Sequence, residues 1–371
     1  MYNPRLSIGE WTIELVKDSH PSELMIEVTT KCNYECIYCF RKNLLEHELG
    51  SMNPRLFYTI IDEASEIGVR RISFSGWGEP LIHPNIMDLI SYAKENKMEV
   101  LLNTNGYFLE EYVDELFHMQ IDEIIVSIDS ADDNVYSIIR RGGELARIVN
   151  ALLRLKELKI EHQTIKPYLS IQYTINRYNY RNLLPMIKLA RELGAYQITV
   201  SNVIPLNSFQ EQELACYYDK KCINEVEKLR IEIAKLSLEY NVNLSFPNFT
   251  LKTERVCPFV AKKATFIRFD GGVSPCIYYA HGWVNTLYGI RRIIEPVIFG
   301  YLPKRKLIDI WRDPSYVKFR IITYFMHQPS CLDCSLREYC TITLSNIYDC
   351  WGNQPTCAHC PYSRDLVRCP L

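Results

Sequence analysis

The feature that most constrains the fold is a sixfold alternation of short apolar runs with longer amphipathic segments between about Leu24 and Val203. Leu24–Val28, Arg71–Phe74, Glu99–Asn103, Glu123–Ile128, Tyr168–Thr174 and Gln197–Ser201 read as strands. Between them Asn85–Asn96, Glu110–Met119, Glu144–Leu158 and Asn182–Leu193 carry apolar residues at i, i+3 and i+4, the helical spacing. Gly68, Gly106 and Gly194 fall where these segments turn. Parallel neighbours need a long crossover, so the alternation predicts an α/β fold, a parallel sheet with helices packed on it. Six units predict a partial (βα)6 barrel, with a doubly wound sheet as the alternative. A further helix is expected over Cys222–Tyr240, after which Phe246–Pro247 and Cys257–Pro258 break the pattern. The expected domains are a lead-in at 1–21, a barrel at 22–245 and a small Cys-rich unit at 246–371.

Composition narrows the class. Lysine and arginine number 42 against 44 acidic residues, a formal charge of −2, which argues against a nucleic-acid partner. No run of about 18 apolar residues and no leader pattern is present, so neither a membrane span nor export is expected, and the cytoplasm is the expected compartment. Fourteen cysteines are present, nine of them at or after Cys257. In a reducing compartment such clustering points to metal.

Cys32, Cys36 and Cys39 form a C-x3-C-x2-C run directly after the first expected strand. Three thiolates in one loop suit three irons of a [4Fe–4S] cluster and leave the fourth open; zinc usually takes a fourth ligand and wider spacing. With Tyr38 before the last cysteine and Phe40 after it, the run resembles the signature of the radical SAM superfamily. Gly76-Trp77-Gly78-Glu79-Pro80, after the second strand, resembles that family's Gly-Gly-Glu-Pro motif, with Trp where a small residue is usual. The resemblance implies S-adenosylmethionine as cofactor, its amine taken by Gly76, Gly78 and Glu79. Ser127 and Asp129 stand where the family reads the ribose and methionyl groups. Arg140 and Arg141 match a carboxylate-pairing arginine, and Arg141 is preferred for its adjacency to Gly142-Gly143. Asn103, Thr104 and Asn105 end the third strand at the same rim, where parallel barrels build active sites. The implied chemistry is reductive cleavage of S-adenosylmethionine to a 5′-deoxyadenosyl radical, fed by a low-potential donor such as ferredoxin or flavodoxin.

The tail cysteines are Cys257, Cys276, Cys331, Cys334, Cys340, Cys350, Cys357, Cys360 and Cys369. Gly271 with Cys276 reads G-x4-C, and Cys331–Cys334–Cys340 reads C-x2-C-x5-C. This resembles the SPASM extension, which carries two auxiliary [4Fe–4S] clusters and modifies peptides and proteins. Cys340 to Cys350 is x9 where the family usually has x3, so the sharing of ligands from Cys350 onward is open, with nine thiols for eight places. Zinc is the alternative, but the gap between Cys331/Cys334 and Cys357/Cys360 exceeds the usual 15–20 or so residues. Cys216 and Cys222 fall in a polar helical stretch and take no role. Asp349–Cys360, Arg368–Pro370, Phe299-Gly300 and Leu307–Trp311 resemble the radical SAM maturases of tungsten-cofactor oxidoreductases of the aldehyde ferredoxin oxidoreductase type. The resemblance thus implies an enzyme that modifies a partner protein or its cofactor. The competing readings are a peptide-modifying maturase and a non-catalytic iron–sulfur carrier. No catalytic acid or base is assigned.

Overall fold

A computed structural model describes residues 5–8, 10–14 and 20–371. Of the lead-in expected at 1–21, residues 1–4, 9 and 15–19 lie outside these; within it, β1 (Arg5–Ile8) and β2 (Trp11–Glu14) form an antiparallel hairpin. The main sheet starts with β3 (Glu23–Ile26), β4 (Arg71–Phe74), β5 (Glu99–Thr104), β6 (Glu123–Ser127), β7 (Tyr168–Ile175) and β8 (Gln197–Asn202). Each pairs in parallel with the one before it. Strand order follows chain order, without the reversal that defines a doubly wound sheet, so the partial barrel is the fold.

Helices α1 (Pro54–Ile67), α2 (Ile86–Glu95), α3 (Leu109–His118), α4 (Asp133–Ile139), α5 (Leu145–Glu161) and α6 (Leu183–Leu193) make the crossovers. Their inward residues repeat at helical spacing, as Leu145, Ile148, Leu152 and Leu155 do along α5. The helix α1 was not anticipated, although Asn53 caps it by accepting from Arg55 N, Pro54 sits in its first turn and Gly68 ends it at φ +87°. The seven-residue α4 is too short to leave a periodic signal.

After α7 (Ser208–Leu214) and α8 (Lys220–Tyr240), strand β9 (Asn243–Ser245) joins β8 at one edge. The chain then crosses to the opposite edge. There β10 (Ala264–Ile267) pairs in parallel with β3, and β11 (Gly272–Ser274) is antiparallel to β10. A separate hairpin, β12 (Trp283–Leu287) with β13 (Ile290–Ile294), precedes β14 (Gly300–Tyr301), which closes on β11. The tail therefore extends the sheet; its first strand, Ala264–Ile267, is wholly buried. Cys216 and Cys222, expected to take no role, are buried and disulfide-bonded to each other. No helix among the described residues is long and apolar enough to cross a membrane.

Candidate functional site

The C-terminal ends of β3 to β8 meet at one rim around an open cavity of about 1140 Å³, its mouth included. Cys32, Cys36 and Cys39 line it from the loop after β3. That loop is held by its backbone: Glu35 N donates to Arg141 O (2.9 Å), Ile37 N to Ile139 O (3.0 Å) and Glu79 N to Lys31 O (2.8 Å). Burial pushes all three thiols up, Cys36 to about 12, against the opposing pull of Arg140 or Arg41. Thiols held neutral in this way give up their protons when a metal binds. Among the described residues no three metal-ligating side chains are gathered tightly enough for a single ion.

Gly76 and Gly78 also line the cavity, and their lack of a side chain answers a packing demand. A Cβ on Gly78 would stand 2.3 Å from Thr29 O and 2.5 Å from Lys31 O; one on Gly76 would meet Glu27 Cγ at 2.5 Å. Close approach of the motif to the end of β3 and to the cysteine loop therefore requires glycine. Glu79 is buried; its Oε1 accepts from Thr104 Oγ1 (2.7 Å) and Leu81 N (3.1 Å), its Oε2 from Asn105 N (2.6 Å). Burial raises its pKa to about 7 despite these donors. Asn105 links the motif to the cysteines, its Nδ2 lying 2.8 Å from Asn33 Oδ1 and 3.8 Å from Cys32 Sγ.

Trp77 also lines the cavity and reaches toward the tail. Its indole donates to Ile277 O (3.2 Å) and packs on Phe40, Trp283 and His281. Its backbone N–H donates to Glu27, whose other oxygen bonds the His281 ring at 2.7 Å, with both side chains fully buried. Tyr278 and Tyr279 are buried as well. Sequence reasoning missed Glu27; a lone carboxylate ending an otherwise apolar strand was the available signal.

Tyr38, Asn103 and Ser127 line the cavity, and Asn103 Nδ2 donates to Gln172 Oε1 at 3.2 Å. Asp129 does not reach it: the carboxylate is fully buried and taken up by Arg140 Nε (2.7 Å), the Tyr38 hydroxyl (2.5 Å) and Thr174 N (2.7 Å). The structure places Arg140, and not the preferred Arg141, at the cavity. Arg140 is 7% exposed and lines the cavity, while Arg141 faces solvent and contributes its carbonyl to the cysteine loop. Arg140 closes α4 and is held inward by its pairing with Asp129. Replacing Arg140 with Met leaves Asp129 buried without its counter-charge. Urea unfolding of the apoprotein is expected to show a loss of about 3–5 kcal/mol, with part regained in the Asp129→Asn/Arg140→Met double variant. An unchanged midpoint in Arg140→Met would refute the pairing.

The far wall of the cavity was not foreseen. Gln172, Thr174, Asn202 and Arg368 stand there, the last brought in because Arg368 N donates to Ser201 Oγ at 3.1 Å. The tail thiols divide in two. Cys257, Cys276, Cys357, Cys360 and Cys369 surround a largely enclosed space of about 510 Å³, its mouth included, walled by Phe259, Tyr279 and Phe319. Burial and their neighbours push Cys360 up to about 12 and Cys276 and Cys357 up strongly. The other four lie apart. Cys331 senses Cys350, and Cys331 and Cys340 share the Thr343 hydroxyl, with Cys334 three residues beyond Cys331. Ile277 and Tyr362 line both the rim cavity and the enclosed space and so form the partition between them.

Comparison with known proteins separates the barrel from the tail. A sequence profile of the radical SAM superfamily matches residues 26–171, and one described as an iron–sulfur cluster-binding domain, SPASM, matches residues 257–335. The tungsten-containing aldehyde ferredoxin oxidoreductase cofactor-modifying protein of Pyrococcus furiosus is 33% identical over 351 residues, covering 94% of this chain and 97% of that protein. The PqqA peptide cyclase of Granulibacter bethesdensis is 28% identical over 335 residues, 86% of this chain and 80% of its own. Among solved structures, Streptococcus suis SuiB bound to S-adenosylmethionine superposes with a TM-score of 0.60 at 18% identity, covering 88% of this chain and 73% of that one, a likeness of fold.

Proposed function

The chain belongs to the radical SAM superfamily and carries its SPASM extension, and on that premise we propose that it matures a partner enzyme by modifying its cofactor, the partner being a tungsten-containing aldehyde ferredoxin oxidoreductase. The observation that carries this reading is the near full-length likeness to the Pyrococcus protein. In the proposal Cys32, Cys36 and Cys39 hold a [4Fe–4S] cluster, and S-adenosylmethionine lies along the rim. Together these groups supply, when bound, a 5′-deoxyadenosyl radical that takes a hydrogen atom from the substrate.

The donor set suits that assignment. The three cavity-lining thiols and the buried carboxylate of Glu79 are, in order, ligands for iron and an acceptor for an amine. Asn103 and Ser127 are assigned to the ribose and methionyl groups, and Arg140, in place of Arg141, to the carboxylate. Tyr38 and Asp129 position Arg140. The five inner and four outer tail thiols are assigned to one auxiliary cluster each, with the spare thiol among the inner five. A ferredoxin or flavodoxin is the proposed electron donor.

The test is anaerobic reconstitution and measurement of 5′-deoxyadenosine with and without a tungsten oxidoreductase or its pterin cofactor. Stimulation by either supports the reading. A peptide-modifying activity is the second reading, favoured by the likeness to the PqqA peptide cyclase; stimulation only by a precursor peptide would select it. Glu79→Ala is expected to weaken S-adenosylmethionine binding roughly 10- to 100-fold, since a hydrogen bond to a charged group is worth about 1.5–3 kcal/mol. Equilibrium binding checks it, with iron content unchanged. An unaltered affinity would remove Glu79 from the amine site.

A further inference from the structure

The buried pair Glu27 and His281 has no part in the reading above, yet it joins the cofactor motif to the tail. Glu27 stands one residue past β3, and His281 lies between β11 and β12. Neither side chain is exposed. One carboxylate oxygen accepts from Trp77 N at 2.8 Å, and the other lies 2.7 Å from His281 Nε2. A carboxylate accepts at both oxygens, so the ring carries its proton on Nε2. Its other nitrogen has no hydrogen-bond partner, with Glu48 Oε1 3.7 Å away. The tail holds the ring in place: Ala280 O accepts from the buried Arg268 at 3.0 Å, and Ile277 O takes the Trp77 indole. Without a donor from His281 the buried carboxylate would be poorly held.

The group that Glu27 grips is a backbone N–H, and this has an effect at the rim. Gly76 O and Trp77 N–H belong to one planar trans peptide and point in opposite directions. Trp77 N–H faces Glu27, so Gly76 O faces away from it, and Gly76 lines the cavity. Among the described residues no group donates to Gly76 O. The peptide is packed hard against its holder: a Cβ on Gly76 would stand 2.5 Å from Glu27 Cγ and 2.9 Å from its Oε1.

We propose that His281, acting through Glu27, is a positioning residue for S-adenosylmethionine. It fixes the Gly76–Trp77 peptide with its carbonyl presented to the cofactor amine, so that the tail sets the affinity of the barrel for its cofactor. This rests on the reading of Gly76–Glu79 as the amine site. An ammonium group needs acceptors, and a carbonyl already fixed in place spares the cost of ordering it on binding. No bond to Glu27 or His281 is made or broken.

The experiment is equilibrium binding of S-adenosylmethionine to the reconstituted full chain, with iron counted on the same sample. His281→Gln keeps a donor near the place of Nε2, whereas His281→Asn reaches only to the place of Nδ1, short of Glu27. His281→Asn is expected to lose affinity roughly 3- to 10-fold, the scale of one neutral hydrogen bond, with its iron unchanged. His281→Gln should retain most of the parental affinity. The same contrast is read independently at Glu27, where Glu27→Gln keeps an acceptor for Trp77 N–H and Glu27→Met does not. Adding His281→Asn to Glu27→Met should cost nothing further, because the ring acts only through that carboxylate. Affinity for 5′-methylthioadenosine, which lacks the amine, should be the same in every variant. Unmoved affinity in His281→Asn and Glu27→Met, an equal loss in His281→Asn and His281→Gln, or a parallel loss for 5′-methylthioadenosine overturns the proposal. Unaltered affinity in Glu79→Ala would overturn the amine site first, and the proposal with it; a weakened Glu79→Ala beside unmoved His281 and Glu27 variants overturns the proposal alone.

Discussion

Replacing Cys32, Cys36 and Cys39 together with Ala is expected to abolish cleavage of S-adenosylmethionine and to remove about four irons per chain, leaving about eight of about 12. The loss should be confined to the rim because the loop carrying these thiols shares no cysteine with the tail. Its other supports are backbone hydrogen bonds to Arg141, Ile139 and Glu79, which the substitutions leave intact. Any one of the three single variants should stop turnover as well, since two thiolates cannot hold the cluster. The checks are chromatographic assay of 5′-deoxyadenosine and iron analysis on the same anaerobic sample. Production of 5′-deoxyadenosine at the parental rate by the triple variant would place the reaction elsewhere.

The second large effect concerns the tail, where single Ala variants are expected to fall into two unequal classes. Each of Cys331, Cys334, Cys340 and Cys350 should be indispensable to the outer cluster, because four thiols serve four places; each loss should take about four irons with it. The inner set has five thiols for four places, so one variant among Cys257, Cys276, Cys357, Cys360 and Cys369 should retain full iron. All five line the same enclosed space, which is why a spare thiol can exist there and not in the outer group. Removing Cys276 and Cys357 together must abolish the inner cluster whichever thiol is spare. Iron and zinc content, read together, decide the matter: a tail that binds zinc and no iron would refute both clusters.

Much of the barrel was readable because its signals are local. The strands expected at Arg71–Phe74 and Tyr168–Thr174 lie at Arg71–Phe74 and Tyr168–Ile175, set by runs of apolar residues between turn signals. Gly76 and Glu79 came from the resemblance of Gly76–Pro80 to a family motif, and Asn103 from its place at the end of the third strand; all three line the cavity. What stayed hidden depends on pairs far apart in the chain. Glu27 and His281 are 254 residues apart, and the grouping of Cys257 with Cys369 arises only when the tail folds back on the enclosed space. Arg140 is set apart from Arg141 by its pairing with Asp129, 11 residues back in the chain. Periodicity cannot separate two such neighbours.

The pairing of β10 with β3 has a consequence for how the chain must be made. Met25 and Ile26 leave the ribosome early, but the strand that covers their outer edge, Ala264–Ile267, comes almost the whole length of the barrel later. At about 5–20 residues per second that interval is on the order of ten to fifty seconds, during which a growing chain carries an uncovered strand edge. Exposed apolar edges recruit other strands. Shortened products ending before Ala264 should therefore collect in the insoluble fraction, and a chaperone that shields the nascent barrel should raise the yield of the intact protein more than that of a variant in which β3 carries a charge on its edge.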